Sequence, residues 1–146
     1  PLKQLADTLP VAPRIVFAGP LPRDALDAIY AAADLFLFGS STETQGLVVG
    51  EARAAGAPAV VVRDGGAGET VRHGEDGLLV DPNPQAMAAA ALELLSDRNR
   101  LQLMKDACLR NARELTPAAM AQRVVNVYQA AIEGRARARD KIRASA

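Results

Sequence analysis

Short apolar runs alternate with segments of helical period along most of the chain, and this alternation constrains the fold more than any other feature. The strand-like runs stand at 14–18 (RIVFA), 34–38 (DLFLF) and 58–63 (PAVVVR). The segments with apolar residues at helical spacing stand at 2–9, 23–33 and 46–55. Because parallel strands need helical crossovers, the pattern predicts an α/β fold with a Rossmann-like parallel sheet flanked by helices.

The second half of the chain has its own sequence of turns and helices. A glycine-rich turn at 64–68 precedes a short helical piece at 69–73 and a hairpin-like stretch at 74–82. The turn does not continue into a dinucleotide fingerprint, because Val71 stands where the third glycine is needed. Three further helices are predicted at 84–95, 97–114 and 117–133. Asp97 fits a helix N-cap, and Pro117 fits the first turn of a helix.

Composition excludes several kinds of protein. The 146 residues fit one domain, and seventeen basic residues balance seventeen acidic ones. Balanced charge and a shortage of aromatic side chains argue against nucleic acid as a partner. No apolar stretch is long enough for a transmembrane helix. The single cysteine, Cys108, cannot form an internal disulfide, so we expect a cytoplasmic protein.

The segment 39–51 (GSSTETQGLVVGE) leads from a strand into a helix and carries two carboxylates, Glu43 and Glu51. Gly46 permits close approach of a ligand, and the free amides of a first helical turn attract phosphate. Carboxylates repel phosphate, but they accept hydrogen bonds from the hydroxyl groups of a sugar. Together these features indicate a nucleoside-diphosphate sugar as the ligand.

A purely structural interpretation fits the same segment. Ser41 or Thr42 would cap the helix, Glu43 would be a charge in its first turn, and Glu51 would lie on a solvated face. The segment by itself leaves both interpretations open.

Three blocks of sequence, in order, resemble the family 4 retaining glycosyltransferases of the GT-B fold. FAGPLPRDALDAIYAAADLFLF (17–38) resembles the family's F-x-G block with its amphipathic helix and AAD strand. DLFLFGSSTETQGLVVGEARAAGAPAVVV (34–62) resembles its E-x7-E signature. GGAGETVRHGEDGLLVDPNPQAMAAAALELLSD (65–97) resembles its glycine-rich G-L-L-V-x-P block. The resemblance covers nearly the whole chain and implies part of the C-terminal, donor-binding domain of a GT-B enzyme.

The resemblance implies a role for each matching position of the loop. Glu43 would be the catalytic-site carboxylate that accepts hydrogen bonds from the transferred sugar, aided by the backbone around Gln45 and Gly46. The amides of Leu47 and Val48 would bind the diphosphate.

Two further contacts with the donor are implied. Glu51 would hold the ribose hydroxyls, and backbone groups between Gly19 and Leu21 would meet the base. Such enzymes retain the anomeric configuration and need no metal or other cofactor. The sequence accordingly has no D-x-D motif and no histidine–cysteine cluster.

The resemblance divides the chain into residues 1–133, part of the donor-binding domain, and a basic tail at 134–146. The first βα units of that domain and the whole acceptor domain have no match. Together with a first residue other than Met, this indicates an excised piece that is inactive alone. An unpaired sheet edge would favour self-association of such a piece.

The local string ETQGLVV is closest to branches that glycosylate diacylglycerol lipids. We therefore expect a UDP- or GDP-sugar donor, with a UDP-hexose favoured, and a lipid or saccharide acceptor. Alternatives are a nucleotide-sugar epimerase, a glycogen- or starch-type synthase, and a non-catalytic assembly module. The tail carries five basic residues and one acid, which fits a solvated helical extension, a helix packed on the acceptor domain, or contact with anionic lipid at the inner membrane face.

The chain departs from the family pattern at Gly39, at Gly50 and at Arg53, where Met is usual. Arg53 is expected on the exposed face of its helix. Tyr30 and Tyr128 fall on apolar helix faces and are expected in the core. The expectation for Cys108, which lies among apolar helix residues, is a buried small side chain without catalytic role.

Overall fold

A three-stranded parallel sheet with helices on both faces forms the centre of the molecule. The computed structural model describes the backbone of residues 1–144 and the side chains of all but residues 115, 117 and 136–144. The strands are β1 (Phe36–Phe38), β2 (Ala59–Val62) and β3 (Gly77–Val80). The helices are α1 (Leu2–Asp7), α2 (Arg23–Ala32), α3 (Leu47–Ala54), α4 (Gly66–Glu69), α5 (Pro84–Ser96), α6 (Arg98–Ala112) and α7 (Pro117–Ala144), with 3-10 turns at Ala12–Arg14 and Arg113–Leu115.

The strand order is β1-β2-β3, and β2 pairs in parallel with both neighbours. Every residue of β2 is buried, as its unbroken apolar sequence predicts for a central parallel strand. Val60 packs with Leu94 of α5 and Met104 of α6 on one face of the sheet. Val61 packs with Val49 of α3 and Ala67 of α4 on the other. The predicted Rossmann-like α/β arrangement is therefore confirmed.

Two details of the helix prediction are also confirmed. The Asp97 carboxylate accepts a hydrogen bond from the Arg100 amide at 3.0 Å, which makes it the N-cap of α6. Pro117 is the first residue of α7. This helix continues without a break through Gly134 to Ala144, so the division of the chain at 133/134 falls within it.

Three predictions of local structure are wrong. Residues 15–18 form no strand; Val16 is 86% exposed, and no described strand lies beside it to complete a ladder. The stretch 74–82 is no hairpin, because its strand β3 pairs with β2 instead. The short helix after β2 lies at Gly66–Glu69 and not at 69–73. Tyr30 is buried as expected, but Tyr128 is 67% exposed.

Candidate functional site

Two loops meet at the carboxyl edge of the sheet, residues 39–46 after β1 and residues 63–65 with the start of α4 after β2. The Gly66 amide donates a hydrogen bond to the Glu43 carbonyl oxygen at 2.8 Å. A Cβ atom at Gly66 would lie 2.0 Å from the Thr44 carbonyl oxygen, and one at Gly46 would lie 2.6 Å from Cα of Ala67. The glycines of the turn are therefore required by the close contact of two backbones, as a tight strand-to-helix turn demands.

The Glu43 carboxylate folds over the backbone that follows it. Its Oε1 atom accepts hydrogen bonds from the amides of Thr44 and Gln45, each at 3.0 Å, and of Gly46 at 3.3 Å. These hydrogen bonds, that of Gln45 foremost, lower the pKa of Glu43 because they favour its charged form. Glu43 is thus an anion held at the entrance to α3.

Helix α3 begins directly after Gly46, which is its N-cap and has a left-handed backbone (φ 65°). The first amide that bonds back into the helix is that of Val49, to the Gly46 carbonyl oxygen at 3.0 Å. The amides of Leu47 and Val48 precede it in the first turn, where the helix offers them no carbonyl partner. The alternative in which Ser41 or Thr42 caps this helix is wrong, since α3 starts five or more residues later.

Glu51 lies one turn into α3 and forms an ion pair with Arg23, the first residue of α2. Arg23 Nη1 lies 2.8 Å from Glu51 Oε1, and the Glu51 side chain is 26% exposed. A freely solvated Glu51, as the structural interpretation has it, is therefore wrong. Gly19 and Leu21 lie in the exposed loop that leads to Arg23, so the end of that loop is joined to Glu51 through this ion pair.

A cavity of about 440 Å³ opens beside the start of α3. Its lining is shared by the loop, α3, α4's C-cap and α7: Gln45, Gly46, Leu47, Gly50, Glu51, Ala54, Thr70 and Met120. Four of the residues assigned a donor contact from the sequence, Gln45, Gly46, Leu47 and Glu51, thus face one space. Among the described residues, Glu43, Val48, Gly19 and Leu21 are outside this lining; Glu43 instead holds the adjoining loop in shape.

On α3, Arg53 does not lie where the sequence predicts. Its expected place on the exposed face of α3 is wrong: its side chain is buried, and it forms an ion pair with the buried carboxylate of Asp76. Arg53 Nη1 also donates to the Thr70 carbonyl oxygen, while its Nε is buried without a hydrogen-bond partner. The spacing along the helix does indicate this burial, because Arg53 follows the apolar Val49 by four positions and therefore lies on the same helix face.

Other polar groups take structural positions. The Nδ1 atom of His73 accepts a hydrogen bond from the Leu79 amide at 2.9 Å. Cys108 is buried, as expected, and its thiol donates to the Asp76 carbonyl oxygen at 3.2 Å. Within the part of the chain that the structure describes, no three His, Cys, Asp or Glu residues are grouped to hold a metal ion. Across those same residues, no helix combines the length and apolarity needed to cross a membrane.

The fold and the loop geometry define an α/β domain of Rossmann type with an open helix N-terminus and two acidic residues at the carboxyl edge of its sheet. The sequence profile of the family described as "Glycosyl transferases group 1" matches residues 1–114. The chain belongs to this family, which confirms the resemblance seen in its sequence.

Individual relatives agree with the family. The D-inositol 3-phosphate glycosyltransferase of Corynebacterium glutamicum is 40% identical over 132 residues, 89% of this chain and 31% of that protein. The protein of the same name from Thermobispora bispora is 38% identical over 133 residues, 90% of this chain and 31% of that protein. The chain therefore spans less than a third of the length of these relatives.

Solved structures show the same fold. Sucrose-phosphate synthase from Thermosynechococcus elongatus superposes with a TM-score of 0.78 at 27% identity, over 91% of this chain and 34% of that one. The Anabaena protein HepE in complex with UDP superposes with a TM-score of 0.62 at 26% identity, over 70% of this chain and 29% of that one.

Proposed function

We propose that this chain is the donor-binding part of a retaining glycosyltransferase that transfers a hexose from a nucleoside-diphosphate sugar. The observation that carries the proposal is the cavity at the start of α3, where Gln45, Gly46, Leu47 and Glu51 line one space. A helix N-terminus attracts phosphate, and a carboxylate accepts hydrogen bonds from hydroxyl groups. Both parts of a nucleotide sugar therefore have a matching partner there.

The proposed residue roles follow the order of the chain. Glu43, with the backbone at Gln45 and Gly46, receives the hydroxyl groups of the sugar and is the catalytic-site acid. The amides of Leu47 and Val48 receive the diphosphate, because they have no partner in the helix.

The nucleoside has its own proposed partners. Glu51 receives the ribose hydroxyls, and the backbone from Gly19 to Leu21 meets the base. Arg23 supports this placement, since it follows that loop and contacts Glu51. UDP is the favoured nucleotide, a choice supported by the UDP-bound structure of the similar protein HepE. We propose that binding needs no metal, so a chelator is expected to leave it unchanged.

The acceptor is a separate proposal. The relatives named above act, by their names, on D-inositol 3-phosphate, which favours a phosphorylated cyclitol over the lipid or saccharide expected from ETQGLVV. We propose that acceptor binding requires sequence other than these residues, so that the chain alone does not catalyse transfer. Contact of the basic tail with a membrane stays a prediction, because the side chains of residues 136–146 lie outside the described part.

The proposal is tested by titrating the chain with UDP, GDP, ADP and UDP-glucose, followed by calorimetry and by amide NMR. We expect saturable binding of one nucleotide, with shifts concentrated at Gly46, Leu47 and Val48. Replacement of Glu51 by Gln is expected to weaken binding about tenfold, the loss of a charge-assisted hydrogen bond.

The matched control is Glu93→Gln, which changes an exposed glutamate on α5 and is expected to leave affinity unchanged. Absence of saturable binding by all four ligands contradicts the proposal. Equal affinity of the parent and the Glu51→Gln chain contradicts the role proposed for Glu51.

A further inference from the structure

Arg23 joins the loop proposed to meet the base to the carboxylate proposed to hold the ribose. It is the first residue of α2, and its Nη1 atom lies 2.8 Å from Oε1 of Glu51 on α3. Its Nε atom lies 3.5 Å from Asp27 Oδ1 within its own helix. The guanidinium thus spans two helices while 68% of its side chain stays exposed.

The contact leaves Glu51 able to bind a ligand. A carboxylate has about four lone-pair positions, of which a guanidinium N–H uses one. Glu51 also lines the cavity at the start of α3, so it faces Arg23 and the cavity at once. Hydroxyl groups can therefore be accepted without displacement of Arg23.

The positive charge of Arg23 matters for binding a diphosphate. A diphosphate bound at the amides of Leu47 and Val48 is repelled by the carboxylates of Glu43 and Glu51. The N-terminus of α3 attracts it with only about half a positive charge. Two other arginines near the site are paired with acids: Arg53 with buried Asp76, and Arg72 with Glu114. Arg23 is the cation in contact with Glu51 itself.

We infer that Arg23 is a positioning and charge-compensating residue for the donor: it fixes the Glu51 carboxylate toward the ribose and offsets its repulsion of the diphosphate. This inference rests on the proposed function. It concerns binding and not folding, because an exposed ion pair contributes little to stability.

The position of the Arg23 charge beside Glu51 and Tyr30 can be tested separately from binding through the Tyr30 phenol. This buried tyrosine has a raised pKa, through burial first and the charge of Glu51 second, whereas Arg23 acts to lower it. Replacement of Arg23 by Gln is therefore expected to raise the Tyr30 pKa further. NMR titration follows the phenol directly, since the chain has only one other tyrosine.

The binding experiment compares the parent chain with Arg23→Gln and Arg23→Lys, using UDP and uridine as probes. Arg23→Gln is expected to weaken UDP binding about two- to fivefold, the range of a surface ion pair, and uridine binding less. Arg23→Lys is expected to restore most of the UDP affinity. The difference in UDP affinity between the parent and Arg23→Gln should be smaller at about 0.5 M salt, because salt screens the charges.

Arg14→Gln, an exposed arginine before the same loop, is the control and is expected to bind UDP as the parent does. If the parent binds UDP and Arg23→Gln binds it equally well, the inference is wrong and the proposed function stands. Equal losses for UDP and uridine, or an unchanged Tyr30 pKa, also overturn the inference. If the parent binds neither probe, both the proposed function and the inference are wrong.

Discussion

Arg53 of α3 and Asp76, which immediately precedes β3, form an ion pair closed to solvent, with side chains only 4% and 0% exposed. The same Asp76 oxygen accepts a hydrogen bond from Asn111 Nδ2 of α6 at 2.9 Å, and the other accepts one from the Arg72 amide at 2.8 Å. The pair therefore ties the helix that carries Glu51 to α6 and to the segment before β3.

Replacement of Arg53 by Met, an uncharged side chain, is expected to lower the free energy of unfolding by about 3–5 kcal/mol. The reason is that Asp76 is left as an unpaired buried charge. Denaturant unfolding measures the change. The double variant with Asp76→Asn should regain part of the lost free energy of unfolding. The control Arg110→Met, on the exposed side of α6, should stay within about 0.5 kcal/mol of the parent. If Arg53→Met loses no more stability than Arg110→Met, the Arg53–Asp76 ion pair does not stabilise the fold.

Glu43 is expected to titrate below the ordinary range of a glutamate, since three amides bind its charged form. Its folded pKa is lowered, so the contribution of these contacts to stability is present above the unfolded pKa and is lost as the pH falls through the folded value. Carboxyl NMR gives the midpoint, and the amides of residues 44–46 should shift with it. Those amide shifts should vanish in Glu43→Gln. A Glu43 pKa at or above the ordinary value would show that its hydrogen bonds to the amides of residues 44–46 do not form.

Two glycines of the α3 region should respond in opposite ways to alanine. Gly46→Ala forces a side chain into a left-handed backbone and against Ala67, so a loss of at least about 1–3 kcal/mol is expected. Gly50 is helical with open space around its Cβ direction, so Gly50→Ala should add about 1 kcal/mol of stability. Urea midpoints compare the pair directly, and a change of the same sign in both variants would contradict the assigned geometry.

Cys108 is expected to resist thiol reagents in the folded chain. Burial, with a further contribution from the charge of Asp76, raises its pKa to about 12, so almost no thiolate is present near pH 8. Reaction with a chromogenic disulfide should wait for unfolding, and the signal is unambiguous because the chain has one cysteine. Fast stoichiometric labelling under native conditions would contradict the buried placement.

Self-association is expected through the β1 side of the sheet, where Leu37 is 50% exposed and only β2 adjoins the strand among the described residues. Sedimentation at high concentration should show oligomers that Leu37→Lys reduces. Leu103→Lys, at a leucine 68% exposed on α6, is the matched control. A monomer at all concentrations would count against association at this edge.

The sequence predicted β2 well because a buried parallel strand is apolar at every position, a signal that needs no knowledge of its neighbours. Residues 14–18 have a similar composition, yet they form no strand. The difference lies in pairing: Val61 has partners on both sides, whereas the structure places no strand beside Val16. Strand formation depends on the rest of the sheet, and local composition does not report it.

The acidic residues of the site were identified from spacing, but their partners were not. That Arg23 reaches Glu51, or Arg53 reaches Asp76, depends on how α2, α3 and the segment before β3 pack together. The prediction that Tyr128 is buried was wrong for the same reason, since an apolar helix face is buried only where another element covers it. Long-range contacts of this kind cannot be read from a single sequence.

The hydrogen bonds that Glu43 accepts restrain the loop leading into α3 through contacts within the chain itself. Fixing the backbone of one residue costs about 1–2 kcal/mol in conformational entropy. When a ligand has to order a loop, that cost is subtracted from the free energy of binding. Here Thr44, Gln45 and Gly46 are restrained during folding by a carboxylate of the same chain. A ligand that binds these amides therefore exchanges hydrogen-bond partners with Glu43, so its net gain from each amide is the difference between the two bonds.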